Sequence, residues 1–219
     1  MKRVLITGAG SGLGQSLATY YAKEGHNILL VGRRESRLQE TKSLIEQDGG
    51  TAEIHTCDIT KWDELEALSA SIKQVDMLIN NAGVGYFGAF EQLEKEQIDT
   101  MLNVNAAGLI YTTKHFMPHI LQSKGRILNI ISTAGLRGKV HESGYCASKF
   151  AQRGFTESLQ KEYEDRDITI TAVYMGGMNT PFWDESDYVE DPSVLPSPDA
   201  IAEQIIDQDD GRDEIVLEK

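Results

Sequence analysis

The feature that most constrains the fold is a glycine-rich turn between the first predicted strand and the first predicted helix. An apolar stretch, Arg3–Thr7, leads into Gly8-Ala9-Gly10-Ser11-Gly12-Leu13-Gly14, and an amphipathic segment then runs to about Lys23. Glycines at such a turn let a pyrophosphate approach the helix N-terminus, where free N–H groups and the helix dipole meet its charge. The spacing is T-G-x-x-x-G-x-G. It favours a nucleotide-binding unit, although a glycine-rich turn alone is also compatible with an ordinary tight loop.

The rest of the chain alternates apolar strands with helices, which predicts a parallel sheet covered on both faces. Strands are predicted near Arg3–Thr7, Asn27–Val31, Ala52–Thr56, Met77–Asn80, Arg126–Ile131, Thr169–Tyr174 and Glu214–Leu217. Helices are predicted near Gly12–Lys23, Glu35–Gln47, Lys61–Ile72, Glu94–Gln122, Gly144–Glu164 and Pro198–Asp207, with Pro118 bending or ending the fourth. The expected fold is α/β: a doubly wound, parallel, seven-stranded sheet with helices on both faces, of Rossmann type. A single domain spanning residues 1–219 is expected, with the nucleotide at the switch point beside the first strand.

Composition narrows the range of partners. The 219 residues are 40% hydrophobic, which suits one folded core, and carry a net charge of −13. That charge argues against nucleic acid, because phosphate binding needs a basic footprint. No membrane partner is expected, since no apolar run approaches the roughly 20 residues that span a bilayer. Cys57 and Cys146 form no disulfide framework, and the N-terminus does not resemble a signal peptide, so a cytoplasmic location is expected.

A tyrosine and a lysine four residues apart, Tyr145 and Lys149, are candidates for acid–base chemistry. On a helix this spacing places both on one face, so the ammonium can lower the phenol pKa from its usual value of about 10. Ser132 follows a β-branched apolar run and is expected at the carboxyl end of a strand, where open α/β sheets bind ligands. Such Tyr–Lys pairs also arise on solvated helix faces, so the pair gains weight only from its context.

Several motifs stand in a characteristic order. They are Thr7–Gly14, Cys57–Ile59, Asn80–Gly83, Val104-Asn105, Ser132, Tyr145-x-x-x-Lys149 and Gly176–Thr180. In this order, and in the thirteen-residue step from Ser132 to Tyr145, the chain resembles the classical short-chain dehydrogenase/reductase family over nearly its whole length. The resemblance implies an oxidoreductase that transfers hydride between a nicotinamide cofactor and a carbonyl or alcohol substrate. A compact lid with aromatic residues, Phe182 and Trp183, suggests that this substrate is small or medium in size.

The resemblance also implies roles for four residues and no metal. Tyr145 would donate the proton, and Ser132 would stabilise the charge that develops on the carbonyl oxygen. Lys149 would lower the Tyr145 pKa and hold the nicotinamide ribose. Asn105 would support a water that relays protons to Lys149, although on its own it is equally readable as a tolerated polar residue within a helix.

A set of cofactor contacts follows from the same resemblance. Asp58 would contact the adenine amino group, although it is also readable as an N-cap or turn residue. Thr180 would contact the carboxamide, in a loop expected to be looser because Met175 stands where relatives usually have proline. The implied contacts are Gly8, Gly10, Ser11, Gly12, Leu13, Gly14, Arg33, Arg34, Asp58, Ile59, Asn81, Ala82, Gly83, Tyr145, Lys149, Gly176 and Thr180.

The end of the second strand indicates which cofactor is preferred. Gly32 stands where an acidic residue would hydrogen-bond the ribose hydroxyls and repel a 2′-phosphate, and Arg33 and Arg34 follow it. Guanidinium groups suit a phosphate, so NADP(H) is expected. The alternative is a solvated cationic pair at the start of the next helix. Ser11 occupies a place where many NADP(H)-preferring relatives carry a base.

The substrate pocket and the assembly are the least constrained features. Candidate pocket residues are Tyr86, Phe87, Leu136–Ser143 and Phe182-Trp183. His141 and Glu142 could contact a polar substrate, but we interpret them as residues of a surface loop. Residues 182–198 are expected to form a short acidic lid. The helices near Glu94–Gln122 and Gly144–Glu164 carry apolar residues beyond one stripe, which predicts a homodimer or homotetramer, although the central sheet could also bury all these side chains. The alternatives are a non-catalytic NADP(H)-binding sensor or scaffold protein, and an epimerase or dehydratase of the extended relatives.

Overall fold

The computed structural model describes residues 1–184, 186 and 188–217. Its strands are β1 Arg3–Thr7, β2 Asn27–Gly32, β3 Thr51–Thr56, β4 Met77–Asn80, β5 Arg126–Ile130, β6 Thr169–Tyr174 and β7 Glu214–Val216. Its α-helices are α1 Gly12–Lys23, α2 Glu35–Gln47, α3 Trp62–Ser71, α4 Lys95–Met101, α5 Leu109–Ser123, α6 Ser143–Glu162 and α7 Pro198–Gln208. All strands pair in parallel, in the order β3-β2-β1-β4-β5-β6-β7. The predicted doubly wound, seven-stranded Rossmann-type sheet is confirmed.

Both faces of the sheet are buried, which explains why the strands are apolar without alternation. Successive side chains of a strand point to opposite faces. Val4 and Ile6 therefore pack in the cluster formed with α1, α2 and α7, whereas Leu5 packs in the cluster formed with α3, α5 and α6. Each of these three side chains is fully buried. Truncating Leu5 to alanine would cost about 2–5 kcal/mol, because the sheet centre has little room to collapse.

The fourth predicted helix is not one regular α-helix. A π-helical segment, Leu102–Gly108, separates α4 from α5. Pro118 lies inside α5, which continues to Ser123, so of the two expected effects, bending or ending the helix, the ending does not occur. The helix ends where Lys124 takes a left-handed conformation with φ 50°. A π-helical turn is wider than an α-helical one, and it shifts the residues that face the sheet.

The strand order places the functional edge. The chain leaves β1 towards β2 and β3 on one side and returns to β4 on the other, so the order reverses between β1 and β4. Ligands of open α/β sheets bind at the carboxyl ends of the strands at this point. Throughout the described residues, no helix is both long and apolar enough to cross a membrane.

Candidate active site

A single cleft of about 580 Å³ runs along the carboxyl edge of the sheet. The turns after successive strands line it, and so do Tyr145 and Lys149 of α6. Every predicted cofactor-contact residue borders the cleft except Gly14, and every predicted catalytic residue does so except Asn105. We call the part bordered by Gly8, residues 10–13, Arg33, Arg34, Arg37, Leu38 and residues 57–59 the nucleotide end, and the part bordered by residues 84–87, Lys139, Glu142 and residues 180–184 the substrate end.

The glycine-rich turn at the nucleotide end has the geometry that a pyrophosphate needs. Gly12 has φ 54°, a left-handed value that side chains rarely adopt. A Cβ on Gly14 would lie 2.3 Å from the carbonyl oxygen of Gly8, so only glycine allows this close packing. Ser11 precedes α1 without capping it through its side chain, which leaves the first N–H groups of the helix for a ligand. The chain therefore fits a dinucleotide here.

Thr7 fastens this turn to the loop after β4. Its hydroxyl accepts hydrogen bonds from the N–H groups of Asn81 (3.0 Å) and Ala82 (3.1 Å). The Asn81 amide donates to the Thr7 carbonyl oxygen at 3.0 Å. These bonds hold the two cofactor-lining loops on either side of the switch point in one fixed arrangement.

Positive charge collects beside β2. Arg33 and Arg34 line the nucleotide end, and the structure adds Arg37, which sequence reasoning missed. Arg37 lies on α2 with its Cβ 2.9 Å from the position of a Cβ on Gly10, and its guanidinium pairs with Glu40 at 2.9 Å. The sequence did indicate this position, because Arg37 follows Arg34 by about one helical turn and therefore faces the same side.

Asp58 is both a turn residue and a cleft residue. Its carboxylate accepts hydrogen bonds from the N–H (3.0 Å) and the hydroxyl (2.8 Å) of Thr60. Burial opposes its ionisation, but the bonds from Thr60 and the charge of Arg33 outweigh burial and lower the Asp58 pKa. The turn interpretation therefore holds, and the carboxylate still borders the cleft.

Tyr145 and Ser132 meet where the two ends of the cleft join. Ser132 follows β5 and caps a short 3₁₀ turn, its hydroxyl accepting from the Ala134 N–H at 3.1 Å. Burial raises the Tyr145 pKa, and a hydrogen bond with Ser132 partly offsets the rise. The direction is opposite to the lowering expected from the sequence, because desolvation of the phenolate outweighs any help from Lys149.

Lys149 is buried at 4% exposure on the same face of α6. Its ammonium lies 5.6 Å from the centre of the Tyr145 ring. Burial lowers the Lys149 pKa to about 7. The ammonium donates to the side-chain oxygen of Gln152 at 2.8 Å, a contact that sequence reasoning missed although residues three apart share a helix face.

Asn105 lies in the π-helical segment, fully buried, with its side chain completely engaged. The amide oxygen accepts from the Val84 N–H at 2.8 Å, and the amide nitrogen donates to the Val84 carbonyl (2.8 Å) and the Ser148 hydroxyl (2.9 Å). Its main-chain carbonyl accepts from Gln152 at 2.8 Å. Asn105 therefore joins the loop after β4 to α6 beneath the cleft.

A second polar network lies deeper, between the central strands and the helices. Asn80 and Asn129 are register partners on β4 and β5, and their amides bond at 2.9 Å. Asn80 also donates to Thr113 on α5, and Asn129 donates to Thr156 on α6, both at 2.9 Å. The sequence contained a signal for this network, because Asn80 and Asn129 are polar residues in two otherwise apolar predicted strands.

The substrate end is formed by aromatic side chains. Phe87 lies with ring centres 5.2 Å from Tyr145, 6.0 Å from Phe182 and 4.8 Å from Tyr188. Trp183 lies 5.3 Å from Phe87. Glu185 and Asp187, which belong to the predicted lid, fall outside the described residues.

Glu142 is the one acidic predicted pocket residue, and its interpretation as a surface residue is wrong. It is buried at 6% exposure and borders the cleft, whereas its neighbour His141 is exposed. The Glu142 carboxylate accepts from the Tyr188 hydroxyl at 3.1 Å and lies 3.8 Å from the Lys139 ammonium. These two partners explain how a charged side chain is accommodated beside Tyr145.

The fold and the cleft together define a nucleotide-binding α/β enzyme of the Rossmann type. More narrowly, the chain belongs to the short-chain dehydrogenase family: the model of the family described as short chain dehydrogenase matches residues 2–190. The predicted family is thus confirmed, and with it the class of oxidoreductase.

Similar proteins agree on the fold and differ in ligand. A fatty acyl-CoA reductase from Acinetobacter baylyi is 37% identical over 187 residues, which are 82% of this chain and 63% of that protein. An alcohol dehydrogenase from Thermococcus sibiricus, complexed with 5-hydroxy-NADP, superposes with a TM-score of 0.87 at 27% identity, covering 99% of this chain and 96% of that one. A short chain dehydrogenase/reductase from Burkholderia phymatum in complex with NAD has a TM-score of 0.89 at 22% identity, with coverage of 98% and 88%. Family members of this fold thus bind NADP or NAD.

Proposed function

We propose that the protein is an NADP(H)-dependent oxidoreductase that reduces a small or medium carbonyl compound to a secondary alcohol, or catalyses the reverse oxidation. The observation that carries the proposal is that Tyr145 and Ser132, both buried, line the cleft together between the nucleotide end and the aromatic substrate end. Two hydroxyl groups at this position suit a carbonyl oxygen. Bound NADPH supplies the hydride for the carbonyl carbon.

Tyr145 acts as the general acid in this proposal. Burial raises its pKa, which keeps the phenol protonated at neutral pH, the form that reduction requires. The Ser132 hydroxyl donates a hydrogen bond to the same substrate oxygen and stabilises the negative charge that develops there. Lys149 lies on the same face of α6 as Tyr145 and lines the cleft, where its ammonium can bind the nicotinamide ribose.

The preference for NADP(H) rests on three arginines at the nucleotide end. Arg33, Arg34 and Arg37 all border the cleft, and Gly32 leaves the neighbouring position without a carboxylate. Guanidinium groups bind a phosphate with charge-assisted hydrogen bonds. The structure with 5-hydroxy-NADP supports this preference, and the structure with NAD makes NADH the necessary comparison in every assay.

The test is a panel of aldehydes, ketones and diketones with NADPH or NADH, followed by absorbance at 340 nm. Turnover with at least one carbonyl compound, faster with NADPH, is the expected result. Tight NADPH binding without turnover would favour the sensor or scaffold alternative. Product formation without net cofactor oxidation would favour an epimerase or dehydratase.

A single domain with a cover over the substrate end completes the proposed architecture. Within the proposed cover, residues 182–198, Phe182 and Trp183 pack on Phe87, and the Trp183 ring N–H donates to the Met178 carbonyl at 2.9 Å. The reducing cytoplasm is the proposed location, because Cys57 and Cys146 are both free and buried.

We also propose assembly into a homodimer or homotetramer through the helices at residues 95–123 and α6. Apolar Leu102, Ile110 and Phe150 are exposed there, whereas Phe155 packs on the core. Phe150→Glu should lower the assembled mass in light scattering at micromolar concentration and leave NADPH binding intact. A monomeric wild-type protein would contradict the proposal, and Phe155→Glu is an unsuitable test because it would disturb folding.

A further inference from the structure

The ammonium of Lys149 has one close acceptor among the described side chains. It donates to Gln152 Oε1 at 2.8 Å, and its next acceptor, the Ile130 carbonyl oxygen, is 3.5 Å away. A buried ammonium carries three donors and no acceptor, and it is costly to bury without partners. The position of the Lys149 charge therefore depends mainly on one carboxamide.

The other end of that carboxamide is fixed as well. Gln152 Nε2 donates to the main-chain carbonyl of Asn105 at 2.8 Å, and Gln152 itself is 1% exposed. The orientation of the amide follows from its partners, because an ammonium only donates and a carbonyl only accepts. Gln152 thus bridges α6 to the π-helical segment, with its oxygen towards Lys149 and its nitrogen towards Asn105.

We propose that Gln152 is a positioning residue that ties the Lys149 ammonium to the main chain of Asn105 and so holds it beside Tyr145. This inference rests on the proposed function, because it gives Lys149 a task at the reacting end of the cleft. The family resemblance places a relay water between Asn105 and Lys149. In this chain the Gln152 carboxamide lies between the Asn105 carbonyl and the Lys149 ammonium and bonds to both.

The surroundings leave few other groups to fix the ammonium. The titratable group that faces the ammonium is Tyr145 on the same helix, with 5.6 Å between the ring centre and the nitrogen. The charge of Glu142 raises the Tyr145 pKa. Ser132 after β5 and Asn105 are neutral. Loss of the Gln152 oxygen would therefore be felt directly by Lys149.

Three substitutions at Gln152 separate a polar bridge from simple packing. Gln152→Met keeps the volume and removes both hydrogen bonds, and Gln152→Ala opens space that water can fill between two polar partners. A packing role predicts that Ala, which leaves a cavity, is worse than Met. The bridge predicts the reverse order in kcat, with Met about tenfold below wild type and Ala closer to it. Gln152→Glu keeps a side-chain oxygen that can accept from the Lys149 ammonium and adds a negative charge beside it.

A matched control lies two turns along the same helix. Gln160 donates its side-chain amide to the carbonyls of Ile170 (2.9 Å) and Asp213 (2.8 Å), away from the cleft. Gln160→Met should lower the melting temperature and leave kcat unchanged. Equal loss of kcat in both variants would overturn the proposal, because it would show a general effect of α6 stability.

A readout without substrate keeps the inference separate from the proposed function. The titration of Lys149 is followed by NMR of ¹³C-labelled lysine, assigned with Lys149→Met, and the Kd of NADPH is measured alongside. We expect the Lys149 midpoint to move to lower pH in Gln152→Met and to higher pH in Gln152→Glu, and NADPH to bind several-fold more weakly to Gln152→Met. An unchanged midpoint in both variants would overturn the bridge. If wild type reduces no carbonyl, the proposed function fails while this titration still decides the role of Gln152.

Discussion

The two ends of the cleft are built in different ways. The nucleotide end is formed by main chain and by short turns that follow the strands, with Gly12 and Gly14 giving the ligand close access. The substrate end is formed by aromatic side chains from segments far apart in sequence, such as Phe87, Phe182 and Tyr188. A turn between a strand and a helix is a local property of the sequence, whereas a pocket of side chains depends on how distant segments pack. The first end therefore defines the family, and the second defines what the individual protein accepts.

The largest expected effect lies where the two ends meet. Tyr145→Phe removes the transferable proton and keeps the ring against Phe87, so NADPH should bind normally while kcat falls about 10²–10⁴-fold. The measurement is NADPH oxidation at 340 nm together with the NADPH Kd. Retention of more than about a tenth of wild-type kcat would show that another group supplies the proton.

The nucleotide end is tested by its charges. Replacing Arg33 and Arg34 with glutamine should weaken NADPH about 10–100-fold and NADH little, since a hydrogen bond to a charged group is worth about 1.5–3 kcal/mol. Kd values for both cofactors at one salt concentration check this. Arg37→Gln serves as an internal comparison with a smaller expected loss, because Glu40 already pairs with that guanidinium. Equal losses for both cofactors, or a wild-type preference for NADH, would refute the NADP(H) assignment.

Buried Lys149 should make the stability of the folded protein depend on pH. Its pKa is lowered from 10.5 to about 7 by burial, so between these values the unfolded chain binds more protons than the folded one. Stability should therefore rise with pH from about 7 to 9, by up to about 1.4 kcal/mol per pH unit from this residue. Lys149→Met should remove that rise, as measured by urea unfolding without cofactor. Parallel curves for the two proteins would show that Lys149 titrates normally.

The smallest effect is expected at the substrate end. Phe87→Leu keeps an apolar side chain but loses the ring contacts with Tyr145 and Tyr188. We expect KM for the carbonyl substrate to rise several-fold, as an aromatic contact is worth about 0.5–1.5 kcal/mol, with the NADPH Kd unchanged. Weakened NADPH binding instead would mean that the two ends are coupled.

Most of the fold could be predicted from the sequence because its signals are local. The strand and helix bounds agree within about two residues, apart from the fourth helix. The π-helical segment Leu102–Gly108 was missed because its sequence has an ordinary helical pattern. Asn105, inside this segment, forms two hydrogen bonds with Val84 in the loop after β4. A contact between segments so far apart cannot be recognised in the sequence.

In the candidate site too, the residues set by local sequence could be predicted, and those that depend on contacts between distant segments could not. All residues expected to contact the cofactor except Gly14 line one cleft, because most of them follow a strand and parallel strands end at one edge, and Tyr145 and Lys149 reach the same edge from α6. Glu142 was misassigned to the surface because its burial depends on Tyr188, 46 residues away. Gln152 was missed although the helix places it on the Lys149 face, since its significance appears only with the Asn105 carbonyl.

The most direct measurement follows the atom that is transferred. NADPH carrying deuterium at both C4 positions of the nicotinamide is incubated with the protein and a carbonyl compound from the panel, and the product alcohol is analysed by mass spectrometry and NMR. We predict one deuterium on the carbinol carbon with wild type, and product formation reduced at least a hundredfold with Tyr145→Phe. Alcohol that carries no deuterium, or no alcohol from any carbonyl compound despite bound NADPH, would contradict the account.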